Sequence, residues 1–125
     1  FMQIRIRKNT DGTGILITFD TKQEEFESPY DRNKFFNELY GRKQIVIKQN
    51  KRYEYHREGV MDEIPHLKVA NSVFIIMQEH MKMMEQFFSA WEDKVMVRSF
   101  PVMLDRDEMR ELHDQEKEIE EEVEE

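Results

Sequence analysis

The 125-residue chain has no cysteine, only four glycines and three prolines, and no apolar run approaching the roughly 18 residues of a membrane-spanning helix. Without cysteine there are no disulfides, no thiol catalysis and no cysteine-based metal sites, which fits a reducing compartment. The chain also starts without a signal-peptide pattern, so a cytoplasmic location with no membrane partner is expected. Four glycines leave no phosphate-cradling loop: the GTG of residues 12–14 reads as a hairpin turn and does not sit between a strand and a helix. HExxH and GxSxG are missing, and the four histidines (His56, His66, His80 and His113) fall on different elements. No metal site, no cofactor and no enzymatic activity are therefore expected. His80 alone is tempting as a ligand or base, but it has no second ligand at helical spacing and reads as a satisfied or partly exposed side chain. Asp62 with Glu63, and Asp105 with Asp107 and Glu108, read as a solvated loop and a helix N-terminus.

What the chain does have is charge, unevenly distributed. Residues 105–125 hold 3 basic and 12 acidic side chains, or −9, so the rest of the net −8 chain sums to +1. Within that near-neutral body, residues 42–57 (RKQIVIKQNKRYEYHR) set six cations against Glu54 alone, a local +5. The acidic end reads as a solubility tail or as a segment that contacts basic proteins.

Hydrophobic periodicity supplies the elements. Met2, Ile4 and Ile6 alternate with polar residues, as do Ile15, Ile17 and Phe19, which predicts a β-hairpin turning over residues 9–14. Ser28-Pro29 starts a helix that runs to Tyr40, with Gly41 as its C-terminal stop. Residues 44–48 and 52–57 form a second hairpin. A three-residue loop would pair Lys48 with Arg52 and place Ile45, Ile47, Tyr53 and Tyr55 on one buried face. A two-residue turn would put Lys48 beside Tyr53 and Val46 beside Tyr55. The first register is favoured because it gathers four apolar side chains. Residues 59–69 read as irregular. Phe74, Met77, Met81, Met84, Phe88 and Trp91 step by three and four, which predicts one long apolar helix from residue 71 or 72. Val95 to Phe100 reads as a short strand, held to an edge or an end by Pro101. Asp105 and Glu108 have capping-box spacing before a helix that passes into a frayed or disordered acidic tail.

The expected fold is α+β: an antiparallel sheet of four to five strands carrying one short and one long apolar helix. Residues 1–104 make one domain and 105–125 an acidic helical or disordered tail. Basic residues interleaved with aromatics suit single-stranded nucleic acid, because cations track phosphates while flat rings stack on bases. The candidate binding residues are Arg5, Arg7, Arg42, Lys43, Lys48, Lys51, Arg52, Tyr53, Tyr55, His56 and Arg57. The long helix is apolar over more than one face, which points to a homo-oligomer interface through Phe74, Met77, Met81, Met84, Phe88 and Trp91. A second reading is a protein-interaction or regulatory module that docks partners on the Met/Phe helix and the acidic tail.

This layout of antiparallel hairpins, the basic-aromatic RKQIVIKQNKRYEYHR and then an apolar helix resembles the ThermoDBP-related proteins of archaea. These are single-stranded-DNA-binding proteins without an OB barrel. The resemblance covers residues 2 to about 104, and it implies nucleic-acid binding on the sheet and assembly through helices.

Overall fold

The protein, seen in a computed structural model that describes residues 12–124, is α+β, with three α-helices and two antiparallel sheets among those residues. The larger sheet has four strands in the order β4-β5-β1-β6: β4 (His66–Ala70), β5 (Val73–Ile76), β1 (Gly12–Thr21) and β6 (Val95–Leu104). The smaller sheet is the hairpin of β2 (Arg42–Lys48) and β3 (Lys51–Arg57). The helices are α1 (Pro29–Tyr40), α2 (Met81–Ser89) and α3 (Arg106–Glu124). No helix among the described residues is long and apolar enough to cross a membrane.

Strand alternation divides the four-stranded sheet into two apolar faces. On one face Ile17, Phe19, Phe74, Ile76 and Val95 pack against Phe35 and Leu39 of α1, Met84 and Phe88 of α2, and Trp91. Phe35 is the hub of this core. Its ring lies 5.6 Å from Phe19, 5.1 Å from Phe36, 5.6 Å from Phe87 and 5.3 Å from Trp91. Ring pairs of this kind add about 0.5–1.5 kcal/mol each beyond the area they bury. On the other face Met77 and Leu104 are covered by Leu112 of α3, with Leu67, Ile75, Val102 and Met109 at the margin. The helices thus cover both faces of the sheet.

Where local chemistry decides, sequence and structure agree. α1 spans the predicted residues: Ser28 Oγ accepts the Asp31 N–H at 3.1 Å, and Gly41, with φ +81°, donates its N–H to Asn37 O at 2.8 Å. The capping box also forms, with Glu108 N–H donating to Asp105 Oδ1 at 2.9 Å and Asp105 N–H to Glu108 Oε1 at 3.0 Å. Among the described residues β6 is an edge strand, consistent with Pro101, although it runs ten residues where a short strand was expected.

Elsewhere tertiary context wins. The long apolar helix does not exist. Its first part is β5, whose Val-Phe-Ile-Ile run inserts between β4 and β1, where pairing on both edges and burial of Phe74 and Ile76 stabilise a strand rich in β-branched residues. A 3-10 turn at Gln78–His80 follows, and α2 has only nine residues. The irregular stretch after Gly59 contains a further strand, β4, whose edge is partly satisfied by α3. Gln115 accepts the His66 N–H at 2.9 Å and donates to His66 O at 2.8 Å. The acidic tail, expected to be helical or disordered, is helical through Glu124, with Leu112 fully buried. The GTG turn is also absent: Gly12 and Gly14 lie within β1, where an added Cβ would meet Met109 Sδ at 2.7 Å or Leu104 Cδ1 at 2.9 Å. The predicted strand over residues 2–7 lies outside the described residues, and along Ile15–Thr18 both edges of β1 are taken by β5 and β6.

Candidate nucleic-acid interface

The β2–β3 hairpin leaves α1 through Gly41 and returns at Gly59, and these two residues define its root. Gly41 has a φ of +81°, in the left-handed region that favours glycine. At Gly59 the need is space, since a Cβ there would lie 2.2 Å from Gly41 N and 2.7 Å from Leu39 O. Asp62, read from sequence as a solvated loop carboxylate, closes the root by accepting the Gly59 N–H at 2.7 Å and meeting His56 Nε2 at 3.0 Å.

Beyond the root, every residue of β3 is exposed, and on β2 only Gln44 and Val46 are half-buried. The favoured three-residue loop is therefore wrong. It rested on a buried face, and this hairpin has none. Lys48 pairs with Lys51 across a two-residue turn in which Gln49 (φ 51°) and Asn50 (φ 65°) are both left-handed. Such turns match the twist of the flanking strands, and asparagine tolerates the conformation well.

The register sorts the predicted residues by face, because residues directly opposite one another share a side. The pairs Arg42–Arg57, Gln44–Tyr55, Val46–Tyr53 and Lys48–Lys51 make one face, which carries four cations, two tyrosines and no carboxylate. Tyr53 and Tyr55 are 41% and 44% exposed, enough for a ring to accept a stacking partner. Arg57 donates through Nε to Gln44 Oε1, and its guanidinium lies 5.8 Å from the Tyr55 ring centroid. Among the described residues, Arg42, Lys48 and Lys51 have no ion-pair partner.

The opposite face is different. Glu54 holds Lys43 at 3.1 Å and Arg52 at 3.6 Å, His56 is engaged by Asp62, and Ile45 and Ile47 stand exposed. Beside His56 a cleft of about 450 Å³ is walled by Glu118 and Glu122, so the acidic helix α3 lies on this side of the root. Of the eleven predicted binding residues, six (Arg42, Lys48, Lys51, Tyr53, Tyr55 and Arg57) thus come together on one face. Lys43, Arg52 and His56 lie on the other. Arg5 and Arg7 lie outside the described residues.

Two of the cross-strand pairs on the basic face, Lys48–Lys51 at the tip and Arg42–Arg57 at the root, oppose like charges. Such pairs weaken a hairpin by a few tenths to about 1 kcal/mol each. A hairpin with neither face buried is already marginal, so this arrangement has no rationale in stability. It makes chemical sense as a surface for an anion lying along the strands. From Arg42 to Lys48 that surface spans about 20 Å, at roughly 3.3 Å per residue.

The predicted oligomer interface does not form one helical seam. Phe74 is in β5 and Met77 follows it, Met81, Met84 and Phe88 are in α2, and Trp91 lies beyond. Phe74, Met77, Met84, Phe88 and Trp91 are buried within the chain's own cores, and Met81 packs against one of them.

No family model, no curated protein and no solved structure matches this chain.

Proposed function

We propose that the protein is a non-enzymatic, sequence-tolerant binder of single-stranded nucleic acid, and that the Arg42/Lys48/Lys51/Arg57 face of the β2–β3 hairpin is its contact surface. The single observation that carries this reading is the pair of like-charged cross-strand couples bracketing two exposed tyrosines, on a face without carboxylates. Phosphates would neutralise the four cations, and bases would stack on Tyr53 and Tyr55 for about 1–3 kcal/mol each. The reading does not extend to self-association through Phe74 and the α2 methionines and phenylalanines, since those side chains fill the chain's own core.

A fluorescence-anisotropy titration with a labelled oligothymidine at 50 mM salt tests the proposal. Binding should saturate, and Tyr53→Ala or Tyr55→Ala should weaken it by roughly five- to more than a hundredfold, the equivalent of about 1–3 kcal/mol. No binding at 50 mM salt, or affinity indifferent to both tyrosines, would remove it.

A further inference from the structure

We propose that Glu79, His80 and Glu116 form a site for one divalent cation of the Zn²⁺ class, joining α3 to the turn that precedes α2. One ligand atom from each residue lies within 4.8 Å of the other two. His80 Nε2 is shut off from solvent and has no hydrogen-bond partner, although about a fifth of the side chain is exposed. A buried ring nitrogen left unpaired loses its hydration without a replacement, so native structures seldom leave one idle. The Glu79 carboxylate lies 3.8 Å from it, beyond a hydrogen bond.

Glu116 supplies the second argument. It lies on the stripe of α3 that turns inward, four residues after the fully buried Leu112 and three before the half-buried Ile119. An apolar residue would ordinarily occupy such a position. Here a carboxylate is brought instead towards a second carboxylate and an imidazole, with the exposed His113 Nδ1 3.7 Å from its Oε2, and two carboxylates this close repel unless positive charge offsets them. Two carboxylates and a neutral imidazole carry −2, which one divalent ion balances.

Donors around a tetrahedral Zn²⁺, bound at 2.0–2.2 Å, sit about 3.3–3.6 Å apart. The rotation needed to close from 4.8 Å is available to the glutamates, whose side chains are 57% and 30% exposed. Water would complete the coordination. Nitrogen with carboxylate oxygen suits Zn²⁺ or Mn²⁺ better than the all-oxygen shells of Ca²⁺ and Mg²⁺. Residues 79 and 80 are adjacent, and the third ligand comes from another element 36 positions away, so metal-motif spacing in the sequence could not reveal the set.

The test uses the full chain stripped with a chelator and titrated with ZnCl₂ by calorimetry, with the Co²⁺ absorption spectrum as a second readout. One Zn²⁺ should bind per chain. His80→Ala and Glu116→Gln should each weaken it by about tenfold or more, whereas Glu111→Gln, on the exposed side of α3, should not. Zn²⁺ should also slow amide exchange around residue 116 and at 78–81 together, with circular dichroism verifying that each variant is folded. Failure to take up Zn²⁺, or equal losses in Glu116→Gln and Glu111→Gln, would overturn the site, as would uptake that leaves both segments exchanging as before.

Discussion

The two sheets of this protein are both antiparallel, yet they are held together differently. The four-stranded sheet is covered on both faces, by α1 and α2 on one side and α3 on the other. Its strands read as apolar wherever they meet a helix. Among the described residues no helix covers a face of the β2–β3 hairpin, which is held by its own ladder, a glycine crossing and the Asp62 clasp. In the first case burial dictates side-chain type, and in the second nothing does. A sequence that uses such freedom to oppose lysine with lysine and arginine with arginine has been shaped for something other than stability.

The sharpest way to break the comparison is a pair of truncations. Phe35→Ala, at the hub of the aromatic core, should cost about 3–5 kcal/mol in chemical denaturation. Ile47→Ala, on a side chain 74% exposed, should stay within about 0.5 kcal/mol. Similar losses at the two sites would show that the hairpin is buried against something in solution. Next in size is the root: Gly59→Ala forces a Cβ into the Gly41 backbone and should cost about 1–3 kcal/mol. Its amide shift changes should concentrate at residues 37–62 and spare β1 and β5.

A smaller effect sharpens the contrast through its sign. Lys48→Glu replaces a like-charged pair with an opposite-charged one, so it should stabilise the fold by a few tenths to about 1 kcal/mol while weakening oligonucleotide binding. Stability and binding falling together would argue that Lys48 is structural.

In the covered region, Asp31 accepts a hydrogen bond from Lys94 at 2.8 Å, and the same bond holds the Asp31 carboxyl below the ordinary aspartate range and the Lys94 ammonium above the ordinary lysine range. A lowered aspartate stabilises the fold above the ordinary carboxylate range and loses that contribution as pH falls through it. A raised lysine does so below the ordinary lysine range and loses it as pH rises beyond. Asp31→Asn should therefore lower the melting temperature near neutrality, and the difference from the parent chain should shrink in acid. A difference that persists unchanged in acid would assign the loss to packing.

The same contrast explains what the sequence made legible. α1 and the Asp105/Glu108 box are written in neighbouring residues, and both form where expected. The Phe74–Trp91 periodicity misled because Val-Phe-Ile-Ile suits a strand as well as a helix turn, and only the slot between β4 and β1 decides between them. β4 was missed because its pairing with β5 and its clamp by Gln115 are both set from outside it. At the hairpin the expected register put Tyr53 and Tyr55 on a buried face with Ile45 and Ile47, whereas they share an exposed face with Lys48 and Lys51. Apolar clustering was used to choose a register, in a hairpin where the Gln49-Asn50 turn was the only real signal. The His80–Glu116 juxtaposition depends on how α3 packs, and so was invisible.

The most direct measurement of the central claim is the salt dependence of oligothymidine binding, compared between the two hairpin faces. With four phosphates neutralised, the log–log slope should be about 2.8, and Lys48→Ala with Lys51→Ala should lower it by about 1.4. Lys43→Ala with Arg52→Ala, which removes the cations already held by Glu54, should leave the slope unchanged. Equal reductions from both double variants, or a slope near zero in the parent chain, would contradict the account.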